Sequence, residues 1–432
     1  MSRKIRVLVI TYPFWREDDN LGNSYSNIFR GMDDKFEFAH IYCKDNMPKN
    51  SLCHKYYHLS EKQLIKSVFT RRKVANSFVL NDPMDTPDII NSANYDKARA
   101  MRWEIFLMAR DFLVTWGQWK SDELNKFIES FKPDVIFGSL TYIPLINNIM
   151  VYVSRKYNIP LVPYSWDDFY SLKRKSFSLT YWIRFLIERR YIRKTVLQST
   201  YMYTITKQMQ EEYSQLFDKE CRLLYKGHLF EGDMPINIKQ QYPLKLIYMG
   251  NIGGGRWKVL EELAKAIEEL NQNGQKMELL VYTMSPKTLD IISSLTIEGA
   301  CRIMSPVPQS EVMTIMKSAD ILVHVEPTSL KEMYFYRLSF STKLVDYFYN
   351  ARCVLAVGGE TASLAYLRDN DAGIVENNPA KFRGILKQII DTPPLIEQYA
   401  RNAWNCGKRN HQITEIQNMI YNDFKILIDE RK

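Results

Sequence analysis

With 432 residues the chain exceeds the length at which a single hydrophobic core keeps growing, so two domains are expected. Hydrophobic residues at 46% and charged residues at 25% are ordinary globular values and exclude an extended disordered chain. A formal net charge of +9 points to a polyanionic partner: nucleic acid, an anionic membrane surface or a phosphorylated substrate.

Residues 5–11 form a continuous apolar run, the pattern of a strand buried on both faces, and the run stops at Tyr12-Pro13. Gly22-Asn23-Ser24-Tyr25-Ser26-Asn27 ahead of Ile28 and Phe29 predicts a glycine-containing loop that opens into a helix. Residues 36–42 predict the next strand. From Lys44 to about Tyr95 the pattern is too mixed to place elements. One or two helices are expected over 94–131, with Met101, Ile105, Phe106, Met108, Phe112 and Trp116 on the apolar side. Residues 133–138 predict a short buried strand, 143–157 a helix and 159–164 another strand. This strand-helix-strand spacing implies a parallel sheet, whose ligands gather at the carboxyl ends of the strands. Ser165-Trp166-Asp167-Asp168 should therefore stand on the functional edge.

Residues 173–194 carry eight Lys or Arg against one acid, Glu188, interleaved with Phe177, Tyr181, Trp182, Phe185 and Tyr191. Such a helix suits the headgroup region of an anionic membrane, and it equally suits a solvated helix whose apolar side is core. A nucleic-acid partner is not expected, because the bias is confined to one segment without base-reading modules. A strand over 201–206 and a helix over 207–217 precede a polar, proline-bearing stretch at 231–243, the natural linker. The second half repeats the grammar: strands over 244–249, 279–282, 300–304, 321–325 and 353–357, with helices over 287–295, 310–318 and 413–428 and another opening at 340–348.

The six cysteines form no CxxC pair, which suits a reducing compartment, and Cys53, His54 and His58 match no standard zinc spacing, so no metal site is expected. The run Val7 to Ile10 is too short for a secretory signal, and no stretch approaches the ~20 apolar residues that span a bilayer. A cytoplasmic protein, either soluble or on the inner face of the plasma membrane, is expected.

The most chemical stretch is 244–270. A buried strand leads into Gly250, Gly253, Gly254 and Gly255, then the basic pair Arg256 and Lys258, then a helix with Leu260, Leu263, Ala264, Ile267 and Leu270 at helical spacing. Glycines let backbone approach an anion, a helix start offers free N–H groups, and cations neutralise the remaining charge. The loop matches neither G-x-x-x-x-G-K-[ST] nor G-x-G-x-x-G, and glycines serving only the geometry of a turn are the alternative.

The order of segments resembles the GT-B glycosyltransferases, and among them the retaining family four that makes bacterial surface polysaccharides and glycolipids. Met249-Gly250-Asn251 with Gly254, Arg256 and Lys258 is similar to the strand-loop-helix start of that family's donor domain. Ser341-Thr342-Lys343-Leu344-Val345-Asp346-Tyr347, followed by 351–358, resembles the second donor loop, where hydroxyls and N–H groups hold phosphate and an acid takes the ribose. Residues 360–375 match the closing turn of that domain, and Gly22-Asn23 resembles the amino-terminal loop near the donor phosphate. Two departures stand out. The upstream Glu of the E-x7-E spacing falls at Leu338, for which Glu332 or Arg337 are stand-ins, and the position where relatives carry His holds Asp167, with Asp168 next to it.

The resemblance implies an α/β chain of two Rossmann-like parallel-sheet domains facing across a cleft: 1–238 for the acceptor, with a helix at about 411–432 packing back on it, and 239–410 for the donor. It implies glycosyl transfer with retention, without metal, from a UDP- or GDP-sugar as co-substrate to a lipid-linked or saccharide acceptor. Arg256, Lys258 and Lys343 would stabilise the departing diphosphate, and Asp167 or Asp168 would contact the sugar or act as base on the acceptor hydroxyl. The alternatives are a non-hydrolysing nucleotide-sugar epimerase and a catalytically silent binding subunit.

Overall fold

The structure is a computed structural model that describes residues 3–17, 20–81, 104–234 and 242–431. Most of the 231–243 stretch, and Met101 of the expected apolar face, lie outside the described residues. The chain divides into two compact units. The first comprises Met1–Leu172, Ser176–Leu224 and Ile416–Lys432; the second comprises Lys173–Lys175 and Tyr225–Glu415.

In the first unit the described strands are β1 (Ile5–Ile10), β2 (Phe36–Tyr42), β3 (Cys53–His58), β4 (Ser77–Val79), β5 (Val135–Ser139), β6 (Leu161–Ser165), β7 (Met202–Thr204) and β8 (Cys221–Leu223). They form one sheet in the order β4-β3-β2-β1-β5-β6-β7-β8, parallel except for β4. β1 is IRVLVI and β5 is VIFGS, almost wholly buried, as apolar runs covered on both faces must be. Leu8, Ile10, Ile41, Ile136, Ile146 and Ile149 are at the centre of the core on one face. The closing helix Ile413–Asp429 joins this unit from Ile416 onward: Phe424 packs on Phe36 and Phe137, and Asp423 takes Arg222 at 2.7 Å.

The sequence pattern over 44–95 hid β3 because its burial does not alternate cleanly: CHKYYH exposes His54 and Lys55 and buries Tyr56 and Tyr57. The helix Glu104–Trp116 faces the opposite way from the expectation. Phe106, Phe112 and Trp116 are exposed, while Asp111 is buried and paired with Arg110 at 2.7 Å and Arg184 at 3.3 Å. The basic stretch is also not one helix. Lys173–Lys175 group with the second unit, where Arg174 and Lys175 lie over Phe335 and Tyr334, and the helix itself is Leu179–Gln198.

In the second unit the described strands are β9 (Leu244–Met249), β10 (Met277–Tyr282), β11 (Cys301–Met304), β12 (Ile321–Glu326), β13 (Cys353–Gly358) and β14 (Ile374–Glu376), all parallel, in the order β11-β10-β9-β12-β13-β14. The helix Arg256–Asn271 packs Val259, Leu260, Leu263 and Ile267 into the core beside Leu246, Leu279 and Val323. All six cysteines are buried free thiols. Among the described residues no helix is long and apolar enough to cross a membrane, and no group of three or more His, Cys, Asp or Glu is placed to hold a metal ion.

Candidate functional site

In the second unit the strand order reverses direction between β9 and β12, so a ligand crevice is expected at the carboxyl ends of those two strands. β9 ends at Met249, and the glycine loop follows. A Cβ on Gly250 would sit 2.6 Å from the Lys343 Nζ, so only glycine here lets that ammonium donate to the Met249 carbonyl at 3.1 Å. Asn251 ties the loop: its Oδ1 accepts from the Gly253 N–H at 2.6 Å and from the Ser285 hydroxyl at 2.9 Å, while Tyr248 donates to its carbonyl at 2.7 Å. Gly254 and Gly255 take φ of +64° and +82°, the left-handed turn that delivers the chain into Arg256–Asn271.

Arg256, the first residue of that helix, turns back across the strand ends. Its Nε donates to the Val325 carbonyl at 3.2 Å, its Nη2 is 3.5 Å from a Glu326 carboxylate oxygen, and its guanidinium lies 4.6 Å over the Tyr336 ring. The other Glu326 oxygen is 3.0 Å from His324 Nε2. Burial opposes the Glu326 charge, but the hydrogen bond to His324 and the charge of Arg256 outweigh it and hold the carboxyl below its ordinary pKa. Burial likewise opposes Arg256, and Glu326 more than restores its positive charge. Among the described residues Lys343 has no such ion-pair partner: burial and the nearby Arg256 push it down to about 8, with Asp346 only partly opposing.

Ser341 and Thr342 precede the short helix Lys343–Tyr349. The Ser341 N–H donates to Ser363, and neither a Thr342 nor another side-chain bond caps the helix. Asp346 is engaged by the protein itself: Lys226 Nζ meets both its oxygens at 2.6 and 2.9 Å, and His228 Nε2 is 2.7 Å away. Burial would raise the Asp346 pKa, but Lys226 and His228 keep it low. Lys258 is exposed with its ammonium 5.5 Å over Trp257. Leu338 is buried, whereas the carboxylate of half-buried Glu332 reaches the glycine loop, 3.3 Å from the position of a Gly254 Cβ.

In the first unit Gly22 and Asn23 are not in a loop but in the first turn of the helix Asn20–Phe29. A Gly22 Cβ would lie 2.0 Å from the Arg16 carbonyl oxygen, and Asn23 donates to the Glu17 carbonyl at 3.1 Å. Asp167 and Asp168 directly follow β6, on the carboxyl edge as expected. Asp168 is fully buried and accepts from the N–H groups of Tyr170 and Ser171, the Ser171 hydroxyl and the Tyr213 hydroxyl. Asp167 is half-buried, and its carbonyl accepts from Ser165. Sequence reasoning missed Glu326, His324, Lys226 and His228. Only Glu326 left a signal, as the acid that ends a strand otherwise built of buried apolar residues and one histidine.

Two doubly wound sheets with these strand orders have close counterparts among solved structures. HepE of Anabaena, solved with UDP and glucose, is similar with a TM-score of 0.60 at 10% identity over 98% of this chain and 99% of that one. Sucrose-phosphate synthase of Thermosynechococcus elongatus gives 0.62 at 11% over 99% and 100%. WaaG, a glycosyltransferase involved in lipopolysaccharide biosynthesis, gives 0.56 at 14% over 97% and 99%. The fold is GT-B. No known family profile and no curated protein matches the sequence. At these identities the likeness to GT-B proteins is one of fold.

Proposed function

We propose that this GT-B chain is a glycosyltransferase that moves a sugar, with retention at the anomeric carbon and without metal, from a nucleoside-diphosphate sugar to a lipid-linked or saccharide acceptor in the synthesis of a bacterial surface glycan. The observation that carries the reading is the convergence of Arg256 and Lys343 on the Gly250 loop at the β9/β12 switch point. A diphosphate leaving group gains negative charge as its bond to the sugar breaks. Preorganised cations beside a glycine loop stabilise that charge more in the transition state than in the bound donor. Lys343 is suited to this role because among the described residues no carboxylate forms an ion pair with it and the Asp346 charge only partly offsets its burial: a phosphate would supply the missing counter-charge. Glu332, whose carboxylate reaches the glycine loop, takes the sugar contact in the role left vacant by Leu338, and Asp167, half-buried just after β6, is the candidate for the acceptor side. Fold neighbours solved with UDP, UDP-glucose or UDP and glucose support a uridine donor.

Thermal unfolding against UDP, GDP, ADP and CMP tests the donor site. One nucleoside diphosphate at ~100 times its Kd should stabilise the chain by about 2.7 kcal/mol, and Arg256→Ala with Lys343→Ala should remove the response. An equal response from the double variant would overturn the site.

Association with the inner face of the plasma membrane is part of the same proposal. The helix Leu179–Gln198 exposes Leu179, Ile183, Leu186 and Ile187, then Arg190, Arg193 and Lys194, an apolar end followed by a basic one. Anionic vesicles should retain the chain, and Leu186→Gln with Arg190→Gln should release it; retention of that variant rejects the contact.

A further inference from the structure

A second feature of the first unit is unused by the donor chemistry. Between the end of Glu104–Trp116, the helix Pro144–Tyr157 and the helix Leu179–Gln198 lies a groove of about 710 Å³. Its cations are Lys120, Arg155, Lys156 and Lys194, and its rings include Trp116, Trp119, Tyr152 and Tyr191. No carboxylate lines it among the described residues. Tyr152, Arg155 and Lys156 occupy the last two turns of the helix that leads into β6, so the groove lies toward the amino ends of the strands. It is therefore distinct from the carboxyl edge that carries Asp167.

Three observations constrain what this groove takes. The first is uncompensated charge. Lys120 lies over Trp119 and Tyr152 at 5.2 and 5.1 Å, Arg155 donates to the Gln198 side-chain oxygen at 2.8 Å, and Lys156 donates to Asn125 at 2.6 Å. These partners are neutral, and none of the four cations has a carboxylate within ion-pair distance among the described residues. The second is the ring surface: Trp116 is 62% exposed, although its ring lies tilted against Phe112 at 4.4 Å, and it faces solvent where a solubility-driven surface would carry a polar residue. The third is shape. A concave site of this volume lies within the ~300–1,000 Å³ typical of ligand pockets.

We infer that this groove binds an acidic saccharide, its carboxylate or phosphate groups held by Lys120, Arg155, Lys156 and Lys194 and a sugar face laid on Trp116. The cations carry specificity for negative charge, and the indole supplies the flat apolar surface that the C–H face of a pyranose covers. The groove is a holding site for an anionic glycan, separate from the place of sugar transfer, and it does not depend on the donor assignment.

Isothermal titration with hexagalacturonate, phosphorylated maltohexaose and neutral maltohexaose tests it on the full chain. At least one acidic probe should bind, more weakly at high salt, while the neutral hexamer should bind at least tenfold more weakly. Trp116→Ala, and separately Lys120→Gln with Lys156→Gln, should each weaken the acidic probe at least tenfold. These side chains are exposed or half-open, so thermal unfolding and the nucleotide response should stay as in the parent, which separates failure of this site from failure of the donor site. Absence of acidic-probe binding, equal binding by the variants, or loss of anionic-vesicle retention in the same variants without saccharide binding overturns the inference.

Discussion

The two units share one plan, a parallel sheet with a switch point, yet their carboxyl edges are finished differently. In the first unit the edge is filled by the protein's own groups. Arg16 is buried with Gly22 pressed against its backbone, and Asp168 is saturated by two N–H groups and two hydroxyls. In the second unit the edge is left open: Asn251, Gly253 and Gly254 are exposed, and Lys343 is half-buried beside them with no ion pair among the described residues. Polar groups that satisfy one another stabilise a fold, whereas a partly buried cation left short of counter-charge marks a candidate ligand site. The same fold can thus carry a self-satisfied shelf on one sheet and a candidate site on the other.

The sharpest way to break this contrast is to put the same methyl group on both edges. Gly22→Ala places its Cβ against the Arg16 backbone, which cannot move aside, and should cost about 3 kcal/mol or more by thermal or denaturant unfolding. Gly250→Ala meets side-chain ends rather than backbone, the Lys343 Nζ at 2.6 Å and the Tyr248 hydroxyl at 3.0 Å. It should cost less than about 1 kcal/mol in stability yet lose the nucleoside-diphosphate response, because the ammonium is displaced. If Gly22→Ala is tolerated and removes nucleotide binding, Gly22 belongs to the donor site and the contrast fails.

Asp168→Ala comes next in size. It strands the Tyr213 and Ser171 hydroxyls and two backbone N–H groups in a buried site, and should cost about 2 kcal/mol. Asp167→Ala, from a half-buried position, should leave stability within about 0.5 kcal/mol and lower acceptor-dependent turnover. A stable Asp168→Asn protein without turnover would instead make Asp168 the reacting carboxylate.

How much of this could be read from the sequence follows from the reach of each interaction. Strands such as IRVLVI and LKLIYM announce themselves because both faces are buried, and the Gly250 loop is visible because its glycines, Arg256 and the helix behind it are contiguous. In the helix Glu104–Trp116 hydrophobicity alone puts Phe106, Phe112 and Trp116 inside, since it cannot foresee that Asp111, paired with Arg110 and Arg184, forms the inner side. Gly22 reads as loop in the sequence, because a glycine in a first helical turn looks the same as a glycine before one. Arg256 with Glu326, and Asp346 with Lys226, join positions far apart in the chain, and no local pattern records such pairs.

A smaller effect sharpens the second unit's half of the comparison. Lys343 titrates at about 8 in the folded chain, below its ordinary value of 10.5. Its charge is therefore opposed by the fold: this group's contribution to stability is full above the unfolded pKa and is lost as pH falls through about 8. A bound diphosphate reverses the preference, since its negative charge favours the ammonium. Nucleoside-diphosphate affinity should accordingly be level below pH 8 and fall by up to about tenfold per unit above it, in the absence of other titrations. Lys343→Arg should flatten the profile. A wild-type profile that is flat from pH 7 to 9.5 would show that the ligand does not meet this ammonium.

The smallest effect separates the two cations of the basic pair. Arg256 and Lys258 are two residues apart at the start of one helix, so they point to different sides of it. Arg256 turns onto the strand ends and is fixed by the Val325 carbonyl, Glu326 and Tyr336. Lys258 is exposed and rests over Trp257, a contact worth about 0.5 kcal/mol at such a site. Lys258→Ala should therefore change stability by no more than about 0.5 kcal/mol and leave nucleotide stabilisation nearly intact, whereas Arg256→Ala should abolish it. A Lys258→Ala protein that loses the nucleotide response as fully as Arg256→Ala would mean that the bound phosphate lies on the Trp257 side of the helix. The open crevice would then begin at the helix start rather than at the ends of β9 and β12.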